Sequence, residues 1–103
     1  MSAKKKPYRI DYSPEAMDHL EGLTARQSTA VLDTVLRQLS HQPTTATRNR
    51  KLLRANDLAP WELRIGDLRV YYEVMEPKRV VLIKGVGVKD RQRVTIGGEE
   101  VEL

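Results

Sequence analysis

Trp61-Glu62-Leu63-Arg64-Ile65-Gly66-Asp67-Leu68-Arg69-Val70-Tyr71-Tyr72-Glu73-Val74 is the stretch that decides the fold. Trp61, Leu63 and Ile65 alternate with Glu62 and Arg64. After Gly66-Asp67 the alternation resumes, with Leu68, Val70, Tyr72 and Val74 set against Arg69, Tyr71 and Glu73. A period of two sends successive side chains to opposite faces. Two such runs around a Gly-Asp pair therefore read as a β-hairpin with one apolar face. Glu62, Arg64, Arg69 and Tyr71 then share the face opposite the core.

Downstream, Pro77-Lys78 marks a second turn. Val80 to Val86 is a nearly continuous apolar run, as expected of a strand buried on both faces. Gly87 opens a charged segment, Lys89-Asp90-Arg91-Gln92-Arg93. Val94-Thr95-Ile96 reads as a last short strand before an acidic tail over 97–103. Upstream, residues 43–60 form a polar, basic connection in which Arg48, Arg50, Lys51 and Arg54 fall within one short run.

Two helices precede that connection. Ser13-Pro14-Glu15 is a helix start: serine caps free N–H groups, proline suits the first turn and glutamate complements the dipole. Met17, Leu20 and Leu23 follow on one side. Thr24, with Gln27 three residues on, opens a second helix as a capping box. Val31, Leu32, Val35, Leu36 and Leu39 recur there at helical spacing until Gln42-Pro43 ends it. Before both, Tyr8, Ile10 and Tyr12 alternate as a short strand. The order is β-α-α-β-β-β. This predicts an α+β fold, a small and mainly antiparallel sheet with a helical hairpin on one face and the other face open. One domain over 1–103 is expected, with a basic arm at 1–7 that includes Lys4, Lys5 and Lys6.

Composition narrows the function. The chain has 103 residues, 40% hydrophobic and 31% charged, which suits one small globular domain. It has no cysteine, so disulfides and thiolate zinc sites are excluded. His19 and His41 are too few for a histidine metal cluster and read as surface residues. Asp11, Glu15 and Asp18 read as solvated charges. Gly85-Val86-Gly87 lacks the third glycine and the following helix of a dinucleotide loop. No cofactor and no metal are expected. No apolar run nears the ~20 residues that span a bilayer. The N-terminal MSAKKKPYRI lacks the apolar stretch of a signal peptide, so cytoplasmic residence without a membrane partner is expected.

The charge balance is more telling. There are 18 Lys and Arg against 14 Asp and Glu, and three of the acids, Glu99, Glu100 and Glu102, stand in the last five residues. The body is therefore more basic than the whole, which favours polyanions. Arg64, Arg69, Lys89 and Arg91 come from separate elements toward one face, the pattern of a phosphate site, because guanidinium forks match phosphate oxygens. Arg48, Arg50, Lys51 and Arg54 extend the basic surface as candidate RNA contacts. Tyr71 is a candidate to stack on a base, against its plainer reading as a packing residue. Cutting RNA there also requires a base for the 2′-OH. The candidates are Glu62, Asp90 and Thr95.

The central run, with Val80 to Gly87, Lys89-Asp90-Arg91 and the upstream Arg50-Lys51-Leu52, resembles the RelE/ParE toxin superfamily over roughly residues 8–95. The resemblance implies the toxin half of a type II toxin–antitoxin pair. It also implies a small sheet with a helical hairpin on one face and a cognate antitoxin that wraps the toxin. In the RelE branch it implies metal-independent cleavage of mRNA in the ribosomal A site. In the ParE branch it implies inhibition of DNA gyrase; a third reading is an inactive homologue that only binds antitoxin. Arg69 matches the strand arginine that holds the scissile phosphate, and Arg64 a basic residue lining the same groove. Lys89 stands where the RelE branch has a phosphate-contacting arginine, and Arg91 completes that basic pair. Glu62 stands where a second lysine occurs, and Thr95 where some RelE enzymes have a tyrosine. Gly97-Gly98 and the glutamates replace a C-terminal helix.

Overall fold

A computed structural model describes residues 6–103. Lys4 and Lys5 of the basic arm lie outside the described residues; Lys6 is exposed. The chain runs β1 (Arg9–Tyr12), α1 (Pro14–Glu21), α2 (Ala25–Leu39), β2 (Arg50–Leu52), β3 (Trp61–Ile65), β4 (Leu68–Met75), β5 (Val80–Asp90), β6 (Arg93–Ile96) and β7 (Glu99–Val101). Both helix starts are capped as the sequence predicts. Ser13 accepts from the Ala16 amide at 3.1 Å, and Thr24 and Gln27 exchange both bonds of a capping box.

The expected β-α-α-β-β-β frame holds, with three strands beyond it: β6, over the stretch read as a last short strand, and two that the sequence did not reveal, β2 and β7. The seven-stranded sheet has the order β2-β3-β4-β5-β6-β7, and β1 lies parallel to β5. All the other pairs are antiparallel. β2 forms inside the stretch read as a connection, and β7 inside the stretch read as an acidic tail. Both are three-residue edge strands, too short for alternation to reveal. The Gly66-Asp67 turn has φ +58° at Gly66, a left-handed conformation that glycine adopts without a Cβ penalty.

The first core lies between sheet and helices. Ala16, Val31, Val35 and Leu39 meet Leu63, Leu68, Val70, Tyr72, Val81, Ile83 and Val86. Leu32 and Leu36, predicted on the same stripe, are exposed, as is Met17 of α1. The buried stripe of α2 is the narrower i, i+4, i+8 row.

The opposite face is not open along its length, contrary to expectation. Ala59, Tyr71 and Ile96 form a second core, with Leu53, Leu58, Val94, Val101 and Leu103 packed against it. Apolar residues of the 53–59 loop and of the β6–β7 hairpin cover part of that face because they have no other surface on which to bury. Gly87 lets β6 come close: a Cβ there would stand 2.7 Å from Ile96 Cγ1 and from the Thr95 carbonyl oxygen.

Candidate nucleic-acid interface

What remains open on the second face is a groove of about 390 Å³. The sheet register builds it. Lys51 of β2 stands opposite Glu62 of β3, and Glu62 opposite Tyr71 of β4. One row on, Arg64 stands opposite Arg69. Lys89 of β5 and Arg54, just past β2, complete the cationic lining.

Two arginines directly across a β-ladder repel each other, and here each is held by other groups. Arg64 Nε donates to Glu62 Oε1 at 3.1 Å. Arg69 Nη1 donates to the carbonyls of Gly66 at 2.7 Å and Leu68 at 2.9 Å, which fastens the guanidinium to its own hairpin turn. The Lys89 amide donates to the Asp67 carbonyl at 2.7 Å, tying the end of β5 to the same turn. Arg69 and Glu62 are both buried, yet both line the groove. The lining holds Lys51, Arg54, Arg64, Arg69 and Lys89 against Glu62 and Glu102, so cations prevail. Guanidinium groups fixed in advance on rigid strands can bind a phosphate and spread the charge of its pentacovalent state.

Other candidates are placed elsewhere. Arg91 sits in the β5–β6 turn at φ +59° and borders a separate cavity with Asp90, Gln92 and Arg93. Arg48 is exposed on the loop before β2 and does not line the groove. Arg50 is buried: Nε donates to the Thr45 carbonyl at 3.0 Å and Nη1 to the Gln38 carbonyl at 2.6 Å, so it staples the loop to α2 rather than facing a ligand. Alternation removes Thr95. Val94 lines the groove, and Thr95 therefore points to the helix side, where it borders a cavity with His19. Asp90 follows Lys89 and is likewise outside. Of the three candidate bases, Glu62 alone lies in the groove.

Tyr71 also departs from its expected role. It is fully buried beneath the second core, so neither ring face is free to stack on a base. Among the described residues its hydroxyl makes no hydrogen bond of good geometry, although the carboxylate of Glu62, its cross-strand neighbour, lies beside it. Burial pushes its pKa well above the ordinary value, and the Glu62 carboxylate adds to the shift.

The sequence reading missed the wall formed by Val101, Glu102 and Leu103. The signal was available: Gly97-Gly98 stands between alternating Val94/Ile96 and Val101/Leu103, which is a hairpin pattern. His19, expected at the surface, is half-buried. Its Nδ1 accepts from the Val86 amide at 3.1 Å, which makes it part of the framework.

No family model and no curated protein matches the chain. Among solved structures, it is similar to a chain of the toxin–antitoxin complex RelBE2 from Mycobacterium tuberculosis. The two are 26% identical and superpose with a TM-score of 0.72, over 85% of this chain and 98% of that one. The chain is RelE-like. This RelE-like fold accounts for the helical hairpin on one face and the groove on the other. Among the described residues no helix is long and apolar enough to cross a membrane, and no group of histidine and acidic side chains could hold a metal ion.

Proposed function

We propose that this RelE-like chain is the toxin of a type II toxin–antitoxin pair and that it cuts mRNA on the ribosome without a metal. The observation that carries the reading is the facing pair Arg64 and Arg69, with Glu62 hydrogen-bonded to Arg64 in the same groove. Cleavage needs three things: removal of the 2′-OH proton, stabilisation of the pentacovalent phosphate and protonation of the leaving 5′-oxygen. Glu62, the carboxylate of β3, takes the first proton. Arg69 and Arg64 hold the phosphate oxygens. Lys89, an ammonium at the far side of the groove, supplies a proton to the leaving oxygen.

The partner is an antitoxin whose apolar side covers the helical hairpin. Met17, Leu32 and Leu36 are exposed there, and exposed apolar patches of this kind mark interaction surfaces. That the similar solved structure is a toxin–antitoxin complex supports the same partner class.

The test is brief induction in cells with mapping of mRNA 5′ ends, alongside Arg69→Ala and Glu62→Gln. New ends in codon register that vanish in both variants are expected. Arrested growth without new ends would turn the reading to DNA gyrase. Arg91, Asp90 and Thr95 lying outside the groove favour that second reading, since they leave a smaller catalytic set. Normal growth would leave a protein that only binds antitoxin.

A further inference from the structure

β5 changes partner part-way along one edge. Val80–Ile83 lie beside β1, and Gly87–Asp90 lie beside β6. Lys84, Gly85 and Val86 fall in the gap between the two. Lys84 is also the extra residue of a bulge, since Tyr71 pairs with Gly85 and Tyr72 with Ile83. Backbone groups in such a gap require partners, and the start of α1 provides them. The Ser13 amide donates to the Ile83 carbonyl at 2.9 Å, and Ser13 Oγ to the Lys84 carbonyl at 3.4 Å. The Val86 amide donates to His19 Nδ1 at 3.1 Å.

The imidazole thus stands in for a strand. Gly97 packs closely on one side of its slot: a Cβ there would lie 3.1 Å from His19 Cδ2. A histidine can accept at Nδ1 only while that nitrogen carries no proton. In the imidazolium both nitrogens are donors, and the Val86 amide would face a second donor.

We infer that His19 is a proton-operated latch. The neutral ring locks the junction of β5 with β6. The protonated ring releases that junction, which lies beside the start of the β6–β7 hairpin that forms one wall of the groove. The titratable groups bordering the cavities on either side of the ring are Glu15 and Asp18 on α1, Asp57 on the 53–60 loop, and Glu99 and Glu102 at the C-terminal hairpin. All are carboxylates, so His19 is the group there that gains positive charge on acidification. The latch does not depend on what the groove binds.

The test is amide exchange and imidazole ¹⁵N NMR on the full chain at about pH 8 and about pH 5, which bracket the histidine range. At the higher pH the ring is expected to carry its proton on Nε2; a proton on Nδ1 there would overturn the latch outright. After correction for intrinsic exchange, protection of the Val86 amide should fall by roughly tenfold on acidification, the equivalent of one lost hydrogen bond. His19→Asn offers an acceptor near the same point and cannot titrate, so its Val86 protection should not change with pH. Equal protection of wild type at both pH values, or the same loss in His19→Asn, would overturn the proposal.

Discussion

Tyr71 and Tyr72 are neighbours in the chain, lie on opposite faces of the sheet and are both fully buried, yet among the described residues Tyr72 has its hydroxyl in a well-formed hydrogen bond and Tyr71 does not. Tyr72 Oη donates to the Pro43 carbonyl at 2.6 Å, and its ring stacks on Trp61 with centroids 6.1 Å apart. Among the described residues Tyr71 Oη has no well-formed hydrogen bond, and the Glu62 carboxylate lies near it. Removing a paired hydroxyl strands its acceptor, whereas removing an unpaired one relieves a desolvation cost. Tyr72→Phe should therefore lose about 1–2 kcal/mol of stability, and Tyr71→Phe should lose nothing or gain up to about 1 kcal/mol. Urea unfolding of the two variants checks this, and equal losses would refute the asymmetry.

Arg50 and Arg48 read alike in sequence and differ in the fold. Arg50 supplies hydrogen bonds to two backbone carbonyls from a buried position, whereas Arg48 is exposed. Arg50→Ala should cost about 2–4 kcal/mol, because it opens a cavity and leaves the Gln38 and Thr45 carbonyls unpaired. Arg48→Ala should stay within about 0.5 kcal/mol of the parent. Denaturation midpoints distinguish them. If Arg50→Ala weakens RNA binding with its stability intact, the staple assignment fails.

The contrast between these residues shows what alternation can and cannot predict. The period of two placed Trp61, Leu63, Val70 and Tyr72 on the core face and Arg64, Arg69 and Glu62 on the other, because neighbouring strands constrain pleat direction. It also implied where Thr95 points, once Val94 is known to face the groove. What it could not supply is the partner of each strand. β2 and β7 form because β3 and β6 offer free edges, a tertiary cause invisible in three-residue runs. Arg50 looked like part of a basic patch because burial of a guanidinium depends on carbonyls of α2 and the 43–47 turn, far off in a linear pattern. His19 failed for the same reason: its acceptor role exists only where β5 leaves β1 and meets β6.

Alkaline pH should unfold the chain by a route its tyrosines dictate. Burial pushes the Tyr12 pKa from 10.0 to about 12, and raises Tyr71 and Tyr72 further. The folded chain thus keeps protons that the unfolded chain releases once pH passes the ordinary tyrosine value. The stabilisation is complete below that value and declines as pH climbs through the range up to about 12 for Tyr12. Thermal midpoints measured on rising pH should fall most steeply there. Tyr12→Phe should flatten part of that slope, and an unchanged slope would remove Tyr12 from the account.

Salt dependence offers a direct reading of which cations face a polyanion. Each phosphate neutralised adds about 0.7 to the slope of log K against log salt for a single strand. Lys51, Arg54, Arg64, Arg69 and Lys89 line the groove and Arg91 does not. With a short single-stranded RNA as probe, Lys51→Ala and Arg54→Ala should each lower the slope by up to about 0.7, and Arg91→Ala should leave it unchanged. Arg69→Lys is the sharper case. Arg69 spends Nη1 on Gly66 and Leu68 while the same guanidinium lines the groove. A lysine ammonium has no planar fork with which to hold the turn and a phosphate together. Arg69→Lys should thus weaken RNA binding about tenfold or more while retaining the formal charge. An affinity equal to the parent's would mean that the groove responds to charge alone and that the fixed geometry of Arg69 against Arg64 contributes nothing to recognition.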